Sequence, residues 1–253
     1  MAHKEQTGFV DGAHGRVAYR RVPGDGPAVI WLGGYKSDMT GTKAEAISEW
    51  AAQNRRSFLR FDYSGHGASE GNFENGTISA WLVDALVAID QLTRDYVVLI
   101  GSSMGGWIAT LAALRRPSRV GGLVLIAPAP DFTERLMWDQ MSEAQRETLM
   151  RECRLLEPTQ YSDEPNVITK ALIEDGRRHL LLGGPVQIHR PIRIIHGMDD
   201  PDVPWRHVVE FAECLETDDL ELRLIKGGDH RLSKPHEIAA IIETIAAFSE
   251  VRQ

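Results

Sequence analysis

Residues 97–114 read VVLIGSSMGGWIATLAAL. The first four residues form a short, continuous apolar run, which is typical of a β-strand buried on both faces. From Met104 onward, apolar side chains recur every three or four positions, which is typical of an amphipathic helix. Between these segments, Gly101-Ser102-Ser103-Met104-Gly105 matches the pattern G-x-S-x-G. We therefore predict a strand–turn–helix unit with Ser103 at the turn.

The pattern G-x-S-x-G alone is weak evidence, because its three fixed positions match by chance in roughly one chain in ten of this length. Its context is more specific. A strand directly before the motif and a helix directly after it form the sharp turn that lifts a serine hydroxyl above the edge of a sheet. We therefore predict Ser103 as a nucleophile, with a glycine-rich turn that has no reactive serine as the alternative. Ser102 lies one place too early, so its side chain is expected to point elsewhere.

Similar apolar runs lie on both sides of this unit, and helical apolar stripes separate several of them. Strands that alternate with helices predict an α/β fold, in which right-handed crossovers join the parallel strands of a mostly parallel central sheet with helices on both faces. The runs lie at 17–22, 28–32, 57–61, 97–100, 122–127, 192–195 and 220–225, and the clearest stripes at 78–92, 104–112 and 238–248.

One interval, residues 131–187, interrupts this alternation. It separates two predicted strands by nearly sixty residues, whereas loops in such folds have about 2–6 residues. Its apolar residues, among them Leu136, Met141 and Leu149, recur at roughly helical spacing. We therefore predict a single domain over residues 1–253, with 131–187 as an inserted helical cap.

Two later segments complete a predicted catalytic triad. A serine hydroxyl is a weak nucleophile at neutral pH and needs a general base. His230, in the sequence GGDHR, directly follows the last predicted strand, and the alternative for it is a surface-loop histidine. Asp200, in HGMDDPDVP, is the carboxylate expected to orient the imidazole; Asp199 and Asp202 are its rivals and are expected to be solvated. The order Ser103, Asp200, His230 is that of α/β-hydrolases.

Two backbone amides are expected to stabilise the negative oxygen of an acyl-transfer transition state. Met104, the residue after the nucleophile, supplies one amide from the start of its helix. Tyr35, which follows Gly33-Gly34 at the end of the run 28–32, is expected to supply the second. The alternative for the glycine pair is that it only closes a turn.

Three further residues are candidates for the substrate pocket: Met137, Met141 and Trp205. Methionine side chains adapt to apolar ligands of irregular shape. The alternative for the two methionines is that they form the core of the inserted segment.

Composition excludes several classes of function. The formal net charge is −8, which disfavours nucleic acid as the main partner. No apolar run approaches the roughly 20 residues of a membrane span, and the first residues contain no secretory signal or transit peptide. The two cysteines, Cys153 and Cys214, show no metal-binding or CxxC spacing, and we predict neither a metal site nor a disulfide. These features predict a cytoplasmic protein.

Five stretches carry a resemblance to a known family: GYKSDMTGTKA, RFDYSGHGASEGN, GSSMGGW, PIRIIHGMDDPDVPW and DHR. Over nearly its whole length the chain resembles capped hydrolases of the α/β-hydrolase fold. More narrowly, it resembles the mitochondrial abhydrolases that act as palmitoyl-protein thioesterases and acyl-glucuronide esterases. The matching stretches include the predicted triad and the residues Tyr35 and Met104. The cap matches less clearly than these stretches.

The resemblance implies hydrolysis of carboxylic esters or thioesters by a serine hydrolase that needs no cofactor. The expected partner is a small acyl ester or thioester, or an acylated protein. A peptidase or C–C bond hydrolase on the same fold is the competing enzyme class, and a non-catalytic binding module is the competing non-enzyme class. The sequence leaves acyl chain length, leaving group, cap movement and oligomeric state open.

Overall fold

All seven predicted apolar runs are strands in the computed structural model, which describes residues 5–158 and 165–250. The strands are β1 (Gln6–Gly12), β2 (Gly15–Val22), β3 (Asp25–Leu32), β4 (Arg56–Phe61), β5 (Val97–Ser102), β6 (Val120–Ile126), β7 (Arg154–Glu157), β8 (Asn166–Thr169), β9 (Val186–Gln187), β10 (Ile192–Gly197), β11 (Leu215–Glu216) and β12 (Leu220–Ile225). The helices are α1 (Thr42–Gln53), α2 (Ile78–Leu92), α3 (Met104–Arg115), α4 (Glu143–Glu152), α5 (Lys170–Gly176), α6 (Trp205–Cys214) and α7 (Pro235–Glu250).

Eight of these strands form one sheet in the order β1-β2-β4-β3-β5-β6-β10-β12. The pairs β1–β2 and β2–β4 are antiparallel, and the other five pairs are parallel. Apolar side chains of α1 and α7 pack on one face, and those of α2, α3 and α6 pack on the other. The predicted α/β fold with a mostly parallel sheet is therefore confirmed. Because the central strands are parallel, their carboxyl ends meet at one edge.

The strand β1 was absent from the sequence-based prediction. It pairs antiparallel with β2 at the edge of the sheet, and most of its residues are at least partly exposed. Its apolar content is limited to Phe9 and Val10. An edge strand of this kind carries no continuous apolar run, so only its pairing with β2 identifies it.

The insert, which we define as residues 131–187, is not purely helical as predicted. It begins with a π-helical turn (Thr133–Met137) and a 3₁₀ turn (Trp138–Gln140), and it contains α4 and α5. Between these helices, β7 and β8 form a two-stranded antiparallel pair. These two strands are four residues each, too short for their alternation to stand out in the sequence. The assignment of residues 1–253 to one domain with a cap remains a prediction.

No helix among residues 5–158 and 165–250 combines the length and the apolar character that crossing a bilayer requires.

The turn between β5 and α3 depends on a very close approach of three backbone segments. A Cβ atom added to Gly105 would lie 2.1 Å from the carbonyl oxygen of Leu32, at the end of β3. A Cβ on Gly101 would lie 2.3 Å from the carbonyl oxygen of Gly105. Both glycines of the G-x-S-x-G motif are therefore required for packing, because any side chain would push α3 away from the sheet.

We predict that Gly105→Ala lowers the free energy of unfolding by about 3 kcal/mol, because backbone atoms cannot yield to the added methyl group. Gly184→Ala is the matched control, since no atom lies within 4 Å of a Cβ built there, and its effect is expected to stay within about 0.5 kcal/mol. Urea denaturation monitored by circular dichroism measures both. Equal stabilities of the two variants would contradict the close-approach account.

Candidate active site

Ser103 occupies the strained turn at the carboxyl end of β5. Its backbone has φ 55° and ψ −119°, a conformation that costs a non-glycine residue about 1–3 kcal/mol. Three backbone hydrogen bonds hold it there. The Ser103 N–H donates to the carbonyl of Ile126 at 2.9 Å, and the Ser103 carbonyl accepts from Gly106 at 2.8 Å and Ala129 at 3.1 Å. Ser102, by contrast, is buried as the last residue of the strand, which agrees with its exclusion as a nucleophile.

The structure brings Ser103, His230 and Asp200 together. The Ser103 Oγ lies 3.0 Å from His230 Nε2, and His230 Nδ1 lies 2.7 Å from Asp200 Oδ2. Because a carboxylate only accepts hydrogen bonds, Nδ1 carries the proton and Nε2 is free to accept the serine proton. The loops that carry the two partners touch at Gly197, where a Cβ would lie 2.3 Å from the carbonyl oxygen of Gly228. This is the geometry of a nucleophile, a base and an orienting acid.

Asp200 is held as a buried, fully engaged carboxylate. Its side chain is inaccessible to solvent. Its Oδ1 atom accepts the backbone N–H groups of Asp202 and Val203, both at 2.9 Å, and its Oδ2 atom accepts from His230. The rivals Asp199 and Asp202 are exposed. The ligand atoms of Asp200, Asp202 and His230 lie within 4.8 Å of one another. Both Asp200 oxygens already accept protein hydrogen bonds, which fits an orienting acid better than a metal ligand.

His196 contacts the loop that carries Asp200. It is fully buried, and its Nε2 lies 3.0 Å from the carbonyl oxygen of Val203 and 3.6 Å from Asp200 Oδ2. Burial lowers the pKa of His196, an effect that the charge of Asp200 only partly opposes. The ring is therefore neutral at physiological pH and donates to Val203. From the sequence, a packing or solvated role is expected for His196, because no partner lies at metal-ligand spacing; its contact with Val203 becomes visible only in the fold.

The loop that carries Tyr35 lies directly against the serine. A Cβ atom built on Gly34 would lie 3.3 Å from the Cβ of Ser103, and the Ser37 hydroxyl donates to the Gly34 carbonyl at 2.8 Å. Met104 is the first residue of α3, so its N–H lies in the first turn, where amides have no acceptor within the helix. Both predicted oxyanion residues are thus adjacent to Ser103 in the chain or in space, and their role remains a prediction.

The side chain of Tyr35 has a connection that sequence analysis missed. Its hydroxyl donates to the carbonyl of Val167, on strand β8 of the insert, at 2.9 Å. Its ring centroid lies 5.0 Å from that of Phe73, 5.7 Å from that of Phe132 and 6.0 Å from that of Trp81. The insert is therefore tied to a residue of the loop that lies against Ser103. These partners are far apart in the sequence, so no local pattern predicted the contact.

His66 fixes the other side of the same loop. Its Nε2 accepts the backbone N–H of Lys36 at 3.3 Å, and its Nδ1 lies 3.4 Å from the Ser64 carbonyl oxygen. Burial lowers the pKa of His66 from 6.5 to about 4. The ring is neutral at pH 7, as acceptance of the Lys36 N–H requires.

The two ends of the insert are anchored next to the site. The buried Asp131 carboxylate accepts the backbone N–H groups of Leu181 and Leu182 at 2.8 Å each. His207, on α6, lies with Nε2 2.8 Å from the carbonyl oxygen of Pro130. Burial raises the pKa of Asp131, and the hydrogen bonds from Leu182 and Leu181 oppose that effect. The Asp131 bonds therefore join the two ends of the insert to each other, and the His207 contact ties the residue that precedes the insert to α6.

The three pocket candidates have different surroundings. Met141 is buried in the core of the insert with Leu149, Ile168 and Ile173, which favours the alternative interpretation for this residue. Met137 packs against both this cluster and the core below it. Trp205 begins α6, and the guanidinium carbon of Arg206 lies 4.3 Å from its ring centroid. No contact brings Trp205 or Met137 to Ser103 within the described residues.

Two clefts lie away from the triad. One has a volume of about 460 Å³ and is lined by Leu114 and residues 180–187. The other has a volume of about 520 Å³ and is lined by residues 189–191 and 215–219. Neither cleft includes Ser103, and we do not assign either of them to the substrate, because the reactive atoms must lie near the serine hydroxyl.

A parallel sheet with a nucleophile elbow and with histidine and aspartate on later strand ends defines an α/β hydrolase. A family model described as "Serine aminopeptidase, S33" matches residues 28–178. The bovine palmitoyl-protein thioesterase ABHD10, mitochondrial, is 37% identical over 230 residues, which are 90% of this chain and 75% of that protein. The chain therefore belongs to the α/β-hydrolase family that contains ABHD10.

Two solved structures support this assignment. A crystal structure from Agrobacterium vitis S4 has a TM-score of 0.94 and 42% identity, covering 98% of this chain and 100% of that chain. The mouse α/β hydrolase domain-containing protein 10 has a TM-score of 0.89 and 32% identity, covering 96% of this chain and 98% of that chain. The ABHD10 relatives are named as mitochondrial proteins, so the predicted cytoplasmic location remains a prediction for this chain.

We predict that His66→Gln flattens the acid dependence of stability. As the pH falls below 6.5, His66 takes up a proton in the unfolded chain. In the folded protein His66 stays neutral until about pH 4. The histidine therefore contributes stability above pH 6.5, and about 3 kcal/mol of it is lost between pH 6.5 and 4. Urea titrations at several pH values measure the difference between wild type and variant.

His236→Gln, which replaces an exposed histidine on α7, is the control for the His66 measurement and is expected to keep the wild-type acid dependence. A His66→Gln profile that runs parallel to that of the wild type from pH 7 to 4 would contradict the assignment.

Proposed function

We propose that this protein is a serine hydrolase that cleaves carboxylic esters or thioesters through an acyl-enzyme. One observation carries the proposal: the unbroken path from the Ser103 hydroxyl through His230 to Asp200, with distances of 3.0 and 2.7 Å. A hydroxyl hydrogen-bonded to a neutral imidazole, which is itself bonded to a buried carboxylate, is an activated nucleophile.

The first half of the reaction transfers the acyl group to the enzyme. The Ser103 oxygen attacks the carbonyl carbon while its proton moves to His230 Nε2. Asp200 stabilises the imidazolium that forms, and the amides of Tyr35 and Met104 donate to the negative oxygen. The intermediate then collapses, the bond to the alcohol or thiol breaks, and His230 returns the proton to that leaving group. Each oxyanion donor contributes about 2.7–4 kcal/mol to the stabilisation of the transition state.

The second half frees the enzyme. A water molecule takes the place of the leaving group, and His230 removes one of its protons as the oxygen attacks the acyl carbon. The bond between the acyl carbon and Ser103 then breaks, and the serine oxygen regains the proton from His230. The product is a carboxylic acid. This cycle uses only side chains of the chain and water, so it needs neither a metal nor an organic cofactor.

We favour esters and thioesters as the substrate class because the similar proteins are named as thioesterases. The bovine relative, 37% identical, is named a palmitoyl-protein thioesterase. A thiolate needs little protonation as it leaves, so a triad of this kind cleaves thioesters readily. Small acyl esters and thioesters, and acylated proteins, are accordingly the proposed partners. The insert is proposed to act as the cap over Ser103, since its strand β8 hydrogen-bonds Tyr35.

A peptidase is the second candidate. The matching family model carries the description of a serine aminopeptidase, and the same triad can attack an amide carbonyl. An amide differs in its leaving group, because an amine must be protonated before it departs. A C–C bond hydrolase and a non-catalytic binding module have no specific observation in their favour.

We predict that Ser103→Ala abolishes ester hydrolysis without unfolding the protein, with a fall in kcat of at least about 10³-fold. The substitution removes the attacking oxygen and leaves the fold intact. Hydrolysis of a p-nitrophenyl ester measures the rate, and a fluorophosphonate probe with mass spectrometry identifies the labelled residue. Ser102→Ala serves as the control and is expected to keep both labelling and activity. Wild-type protein that resists the probe would instead favour a binding module.

We also predict that acyl esters and acyl thioesters are cleaved with kcat/KM at least about 100-fold above that of aminoacyl amides. The measurement uses a series of p-nitrophenyl esters and acyl thioesters of two to sixteen carbons, beside aminoacyl-p-nitroanilides. The chain length with the highest kcat/KM then defines the acyl preference. Faster cleavage of the anilides would support the peptidase and overturn the esterase proposal.

A further inference from the structure

Lys43 connects helix α1 to the loop that carries the general base. Its Nζ donates a hydrogen bond to the carbonyl oxygen of Arg231, the residue directly after His230. The two residues are 188 positions apart in the sequence. The contact therefore joins the beginning of the fold to the loop between β12 and α7, and no part of the mechanism above uses it.

Several contacts hold this loop against the rest of the fold. His230 Nδ1 lies 2.7 Å from Asp200 Oδ2, the Gly228 carbonyl accepts from the Asp199 N–H at 2.9 Å, and Leu232 is buried in the core between the sheet, α1 and α7.

Other contacts lie within the loop. Asp229 Oδ1 accepts the N–H groups of Arg231 and Leu232, both at 3.0 Å. The hydroxyl of Ser233 donates to the Arg231 carbonyl at 3.0 Å, and Lys234 Nζ donates to the Gly227 carbonyl at 2.9 Å. These bonds shape the loop internally. The Lys43 bond adds an anchor from α1 at the residue that follows His230.

We propose that Lys43 is a positioning residue for His230: its ammonium group, bonded to the Arg231 carbonyl, fixes the loop so that the imidazole stays within reach of Ser103. The proposal rests on the proposed serine hydrolase function. A charge-assisted hydrogen bond is about twice as strong as a neutral one, so the positive charge matters as well as the reach of the side chain. An imidazole displaced by about 1 Å can cost about 100-fold in rate.

The charges around Lys43 come from two elements. Asp229 and Arg231 lie on the His230 loop, and Glu237 lies on α7, fully buried. Glu45, two residues further along α1, pairs instead with Arg60 of β4 at 2.7 Å and lies 3.9 Å from Arg20 of β2. Lys43 thus faces two carboxylates and one guanidinium.

This environment makes the contact sensitive to alkaline pH. Burial lowers the pKa of Lys43 to about 8; Arg231 lowers it further, whereas Asp229 and Glu237 raise it. Below pH 8 the ammonium is charged and the strong bond is present. Above pH 8 the neutral amine donates only a weaker bond, so the imidazole loses part of its restraint. We therefore expect kcat to fall on the alkaline side with a midpoint near pH 8.

The test compares Lys43→Met, which keeps the stem and removes the charge, with Lys43→Arg, which keeps the charge. Rates of ester hydrolysis are divided by the number of sites that a fluorophosphonate labels at completion, so unfolded protein does not contribute. Lys43→Met is expected to lower kcat by about 10- to 100-fold, with KM changed less than about threefold, and to remove the alkaline limb. Lys43→Arg is expected to restore most of kcat and to move the limb above pH 10, because a guanidinium does not lose its proton there.

Lys226→Met, at an exposed position just after β12, is the matched control and is expected to keep kcat and the pH profile. A folded Lys43→Met variant with wild-type kcat per labelled site would overturn the proposal, and Lys43 would then serve only the packing of α1. If Lys43→Met does not fold, the Lys43→Arg variant provides the test. A fall in kcat that stays centred near pH 8 in Lys43→Arg would also overturn the proposal. Failure of the serine hydrolase proposal itself is recognised separately, by wild-type protein that neither hydrolyses esters nor reacts with the probe.

Discussion

Helix α3 crosses the end of strand β3 so closely that no Cβ atom fits between Gly105 and the carbonyl oxygen of Leu32. This contact forces the chain to turn sharply after β5, and Ser103 at the turn adopts φ 55°. The strain is sustained because the backbone on both sides is fixed by the sheet and by the helix. As a result Ser103 lies at the carboxyl end of β5, directly before the first turn of α3. The predicted nucleophile and the predicted oxyanion residue Met104 are thus neighbours at a turn that one packing constraint fixes.

The remaining groups reach this point because parallel strands end at one edge. The loop after β10 delivers Asp200 and the loop after β12 delivers His230, and the two loops are in van der Waals contact at Gly197 and Gly228. Burial of the aspartate removes competing water, while backbone N–H groups and the imidazole satisfy both of its oxygens. A buried charge is tolerated only with such complete pairing. The carboxylate therefore has a single orientation, and its hydrogen bond with Nδ1 fixes the orientation of the imidazole.

The insert is attached to the site at more than one point. Asp131 joins the two ends of the insert to each other, His207 of α6 contacts Pro130 just before it, and Tyr35 connects its strand β8 to the loop beside the serine. A ligand that displaces the insert would therefore also act on Tyr35, whose loop lies against Ser103.

The sequence by itself determined the α/β architecture, the predicted elbow at Ser103 and the choice of Asp200 and His230 as its predicted partners. Each of these follows from a local pattern: an apolar run, a turn and one polar residue at a fixed offset. Only the tertiary structure revealed the edge strand β1, the strand pair in the insert and the side-chain contacts of Tyr35 and Lys43. The contacts of Tyr35 and Lys43 join segments that are more than 100 residues apart, whereas β1 and the strand pair lie close to their partners in sequence but are too short or too polar to show an apolar pattern. A linear pattern records the spacing of residues along the chain, but it does not record which distant carbonyl a hydroxyl or an ammonium group will meet.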